Sequence, residues 1–65
     1  MSQHIVAETL FLEEWFDCGV TYVSPWEQSG SHWSRFVRTD EGQKVEVHVV
    51  FIGESDEVER YYEAT

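Results

Sequence analysis

The sequence predicts a small α+β domain: a three-stranded antiparallel β-meander with an N-terminal and a C-terminal helix, in the order α-β-β-β-α. Three observations lead there. Apolar residues recur at helical spacing in both end segments, and between residues 43 and 52 Val45, Val47, Val49 and Phe51 alternate with Lys44, Glu46, His48 and Val50. Glycine or proline marks the boundaries, at Gly19, Ser24-Pro25, Ser29-Gly30-Ser31, Asp40-Glu41-Gly42 and Gly53. The 65 residues fit one domain, 1–65, with a thin core, because a chain this short buries only about 60% of its unfolded surface.

The first helix is read over 5–18. Ala7, Leu10, Phe11, Trp15 and Phe16 approximate an i, i+3, i+4 series, with Glu8, Glu13, Glu14 and Asp17 between them. Gly19 then offers a left-handed C′ residue. The carboxylates at the C-terminal end oppose the helix dipole, so a strand at Gln3 to Ala7 before a shorter helix is the alternative. Val20 to Val23 reads as a short strand stopped by Pro25, and His32 to Thr39 as the second. Gln43 to Ile52 is the third. Asp40-Glu41-Gly42 joins the last two as a hairpin, pairing Val37 with Val45, Arg35 with Val47, Trp33 with Val49 and Ser34 with His48. A bulge in the turn would slip this register by one.

The C-terminal helix is read from Glu54. Asp56 and Glu59 have capping-box spacing, Asp56 can meet Arg60 at i, i+4, and Val58, Tyr61 and Tyr62 form its apolar stripe. So short a helix needs to dock against the rest of the domain. Trp15, Phe16, Trp33 and Phe51 are assigned to the core. Trp26, in the polar loop Ser24 to Gly30 beside Glu27, either folds back over the sheet or marks a binding surface.

Composition excludes several functions. Thirteen acids against four bases give a net charge of −9, which argues against direct binding to nucleic acid or an anionic membrane. Disorder is disfavoured by 42% hydrophobic and 15% aromatic residues. A lone Cys18 beside Asp17 permits no internal disulfide and suits no thiolate nucleophile. The start of the chain lacks a secretory pattern and no apolar run approaches a membrane span, so the expectation is a soluble, cytoplasmic protein. His4, Cys18, His32 and His48 show no paired metal-ligand spacing, although the hairpin places His32 and His48 diagonally on one face. No phosphate loop, calcium loop or catalytic motif is present. No enzyme activity, cofactor or metal is expected.

Charge distribution says more. Residues 1–30 carry −5, residues 31–48 are neutral and residues 49–65 carry −4. Carboxylates three or four apart on two neighbouring helices approach the charge density of a duplex backbone. Ten of the thirteen acids are glutamate and large aromatics abound, which does not suit halophilic adaptation. Solubility alone asks for a net charge of about 2–8 in magnitude.

In its length and its acidic end segments, Glu8 to Asp17 and Glu54 to Glu63, the chain resembles phage-encoded anti-CRISPR and other DNA-mimic proteins. That resemblance is one of type, carried by no signature string. It implies a stoichiometric inhibitor in a bacterial host cell that covers the DNA- or PAM-binding surface of a CRISPR interference complex subunit. Glu8, Glu13, Glu14, Asp17, Trp26, Glu27, Glu54, Asp56, Glu57, Glu59 and Glu63 would face the partner's basic surface. The alternative is a small structural or adaptor module, a monomer or a homodimer joined through a sheet edge or the Trp26 loop.

Overall fold

The computed structural model describes residues 2–53 and 57–65. Among the described residues one helix, α1 (Gln3–Trp15), precedes five strands: β1 (Val20–Val23), β2 (Glu27–Ser29), β3 (His32–Thr39), β4 (Lys44–Phe51) and β5 (Val58–Ala64). They form one antiparallel sheet in the order β1-β3-β4-β5, with β2 also pairing to β3. β1 and β2 lie end to end on the same edge of β3. They amount to one strand interrupted at Ser24-Pro25-Trp26. The expected α-β-β-β-α meander is therefore replaced by a helix on a larger sheet.

The main correction is at the C-terminus, where the expected helix is β5. Both periods are present there: Val58, Tyr61 and Tyr62 fit a helix, while Val58, Arg60 and Tyr62 fit one face of a strand. The strand prevails because it pairs along β4 from Phe51↔Val58 to Val45↔Ala64 and covers β4's free edge. Valine and tyrosine also favour the pleated surface, and an isolated helix of that length is marginal. The cap at Asp56, its pairing with Arg60 and the helix start at Glu54 lie outside the described residues.

The hairpin expectation holds. Trp33↔Val49, Ser34↔His48, Arg35↔Val47 and Val37↔Val45 pair as the turn predicts. Gly42 supplies φ 88° in a loop where its N–H donates to the Thr39 carbonyl. The segment expected to be a loop, Ser24 to Gly30, contains β2. Its signal was Ser29-Gly30-Ser31-His32, a two-residue hairpin with glycine at φ 61° in the first turn position.

Helix α1 starts earlier than the apolar series suggests, because the Ser2 hydroxyl accepts from the Ile5 N–H at 3.2 Å. It ends at Trp15, and Gly19 is not left-handed. Instead, a Cβ on Gly19 would run into the Asp40 carboxylate. The helix lies on one face of the sheet. Ala7 packs with Trp33 and Val49, and Phe11 with Val37 and Val47. Phe16, expected in the core, is 79% exposed because it follows the last helical turn on the side away from the sheet. Among the described residues no helix is long and apolar enough to cross a membrane.

Candidate functional site

Antiparallel pairing sorts side chains into two faces, since directly opposed residues point the same way. Trp33, Arg35, Val37, Val47, Val49, Arg60 and Tyr62 point toward α1. On the other face, transverse rows run Tyr22–Arg38–Lys44, Phe36–Glu46–Glu63, Glu27–Ser34–His48–Tyr61 and Ser29–His32–Val50–Glu59. Among the described residues no helix covers this second face.

The covered face contains a cation within the core. Arg35 packs against the rings of Trp26 and Phe11, which meet edge-on, with Cζ 4.4 and 4.6 Å from their centroids. Its Nε donates to the Ser24 carbonyl at 2.9 Å, and a terminal nitrogen pairs with Glu8 at 3.1 Å. Burial lowers the Arg35 pKa, while the charge and hydrogen bond of Glu8 push it back up. The Trp26 indole donates to the same Glu8 oxygen at 2.6 Å and meets Phe11 and Trp33 edge-on. Trp26 thus folds back over the sheet. Arg60 reaches the helix too, pairing with Glu14 at 2.5 Å, and Trp15 packs edge-on against Tyr62.

These contacts redistribute the acids expected to face a partner. Glu8 and Glu14 are paired within the molecule. Glu13 and Asp17 are exposed on or just after α1, and Glu57 is exposed beside β5. Glu27, Glu59 and Glu63 are exposed on the uncovered face. Glu54 and Asp56 lie outside the described residues. Two of the four bases serve Glu8 and Glu14. The other two, Arg38 and Lys44, oppose each other near the β3–β4 turn, where Arg38 donates to the Gly42 carbonyl and Lys44 sits 4.3 Å from the Phe36 ring centroid.

Among the described residues of the uncovered face, one is buried without a covering layer. His48 is 6% exposed. Tyr61, its neighbour on β5, stacks on it at 4.4 Å and 7°, and the His32 ring lies 4.9 Å away. His32 Nε2 and His48 Nδ1 are 2.7 Å apart, so a proton on one is shared with the other. At the opposite nitrogen, His48 Nε2, carboxylate oxygens of Glu46 and Glu63 approach to 3.0 and 3.1 Å. Neither is aligned as a hydrogen bond, and Nε2 remains buried without a hydrogen-bond partner. Glu46 and Glu63 also oppose each other directly across the strands, an arrangement of like charge that costs stability. Beside them lies a cleft of about 240 Å³, lined by Glu27, Gln28, Ser29, His32, Ser34, Glu46 and His48.

Sequence reasoning placed His32 and His48 on one face but did not join Glu46 and Glu63 to them. Glu46 and His48 are visibly two apart on one strand, and the hairpin register brings His32 near. Glu63 enters only through β5, which was expected to be helical.

No protein-family model, curated protein or solved structure matches this chain.

Proposed function

We propose that this chain is a non-catalytic inhibitor of a nucleic-acid-binding defence complex, of the anti-CRISPR type. In this reading its acidic uncovered face competes with DNA for a basic surface of the partner. One observation carries the proposal: Glu27, Glu46, Glu59 and Glu63 share a face with no covering helix among the described residues, and two of them oppose each other directly. Lysine or arginine from a partner would relieve that repulsion. The basis differs from the sequence expectation, since the second acidic element is a strand and the charge is arrayed across a sheet.

The test is target-DNA binding by a panel of purified CRISPR interference complexes, titrated with this protein. At least one complex should lose DNA binding at one equivalent, and inhibition should weaken with added salt. Reversal of Glu27 and Glu59 to Lys should abolish the effect while Glu13→Lys leaves it in place. Failure to inhibit any complex, or full potency in the double reversal, contradicts the proposal.

A second reading, a small interaction module that is a homodimer, is favoured by a different feature. Ile5, Leu12 and Phe16 are 54, 47 and 79% exposed on the side of the helical segment away from the sheet. Sedimentation at two concentrations, with Phe16→Ser as control, would show a dimer that the substitution dissolves if this reading holds.

A further inference from the structure

We infer that Glu46, His48 and Glu63 form a binding site for a divalent transition-metal ion, with His32 as the residue that orients His48. This goes beyond the inhibitor reading and engages two of that reading's acids, Glu46 and Glu63, leaving Glu27 and Glu59 to meet a partner.

The geometry supplies the reasons. Ligand atoms from the three residues all lie within 4.8 Å of one another, and the two oxygens stand 3.0 and 3.1 Å from Nε2. Two ligands bound at about 2.1 Å to one ion lie roughly 3.0–3.4 Å apart across angles between octahedral and tetrahedral. Both N–O separations already fall in that range, and the two oxygens, within 4.8 Å of each other, would draw together around an ion. Nε2 is buried and lacks a hydrogen-bond partner, while the oxygens flank it rather than cap it. An ion placed there takes the nitrogen's lone pair and both carboxylates together.

The second nitrogen fits the same assignment. A ligating histidine ordinarily donates its other ring N–H to a fixed acceptor, which selects the tautomer and the ring orientation. His48 Nδ1 has His32 Nε2 at 2.7 Å for that purpose, and the stacked Tyr61 ring holds the imidazole plane. With the proton on Nδ1, His48 presents its Nε2 lone pair to two carboxylates. In the metal-free chain a proton on Nε2 can face the carboxylates instead, and a metal ion would take that proton's place.

The donor set sets the ion class. One imidazole with two carboxylates suits zinc, iron(II), manganese(II) or nickel(II), whereas magnesium and calcium prefer oxygen alone. Three protein ligands leave at least one position for water or a partner's group. The neighbouring cleft of about 240 Å³ gives that position an approach from solvent. A closed structural zinc site would have four protein ligands.

The experiment is calorimetric titration of zinc chloride into the metal-free full chain, repeated with magnesium chloride. Wild type should bind zinc saturably at one equivalent and magnesium at least a hundredfold more weakly. Glu63→Gln and Glu46→Gln should each weaken zinc by at least tenfold, and His32→Ala, which removes only the orienting group, by about 10- to 100-fold. Glu41→Gln, on the β3–β4 turn, should bind as wild type. Circular dichroism of each metal-free variant separates lost ligands from lost fold. Glu63 is an exposed edge residue, so Glu63→Gln keeps the test decisive if another variant fails to fold. Absence of saturable zinc binding, equal affinity for magnesium, or unchanged affinity in folded Glu63→Gln overturns the site.

Discussion

The two faces of the sheet handle buried charge in opposite ways. Under α1, the Arg35 guanidinium has a carboxylate, a carbonyl acceptor and two aromatic faces, and Glu8 has both Arg35 and the Trp26 indole. On the uncovered face, a buried imidazole nitrogen meets two carboxylates that already oppose each other. On the first face the buried charges are paired within the chain, although the Trp15 Nε1–H is buried without a hydrogen-bond partner; on the second, two carboxylates share a single imidazole nitrogen, where a cation would join all three groups.

Substitutions can test this contrast, and the largest effects belong to the covered face. Arg35→Ala should cost about 2–3 kcal/mol in urea unfolding, because it removes a charge-assisted bond and a guanidinium packed against two rings, leaving the partly exposed Glu8 with the Trp26 indole. Arg35→Lys should recover only part of that, since an ammonium cannot stack and fork as a guanidinium does. Next comes packing: Val49→Ala removes two methyl groups from a fully buried site and should cost about 2 kcal/mol.

The sharper comparison follows at smaller magnitude. Glu8→Gln should destabilise by about 1–3 kcal/mol, since it weakens charge-assisted bonds to Arg35. The same change at Glu46, measured without metal in mildly alkaline buffer, should stabilise by up to about 1 kcal/mol by removing like-charge repulsion. Opposite signs for one chemical change on two faces would establish the contrast, and equal signs would break it. Glu14→Gln, at a pair open to solvent, should cost only about 0.2–1 kcal/mol.

How far the sequence reveals this follows from which contacts are local. The β3–β4 hairpin is legible to the residue, because a three-residue turn ending in Gly42 and the alternation of Val45, Val47 and Val49 favour the observed register over one slipped by a bulge. The start of α1 was marked by Ser2, a capping residue placed before the apolar series begins. β5 was hidden by Arg60, which interrupts the apolar parity of Val58 and Tyr62 and makes the helical spacing look better. The polar residue is accommodated because Glu14 waits on α1, a long-range pairing that no local pattern encodes. Trp26 was ambiguous for the same reason, its partners Glu8 and Arg35 being distant in sequence. Losing β5 meant losing Glu63, and with it the approach of a second carboxylate to His48.

The central claim is that the uncovered face requires a cation that the covered face supplies for itself. Thermal unfolding of wild type and Glu63→Gln, each with and without saturating zinc, tests it in one experiment. Without metal the variant should melt higher than wild type, and with zinc the order should reverse, because only wild type retains the full ligand set. An order that zinc leaves unchanged would contradict the account.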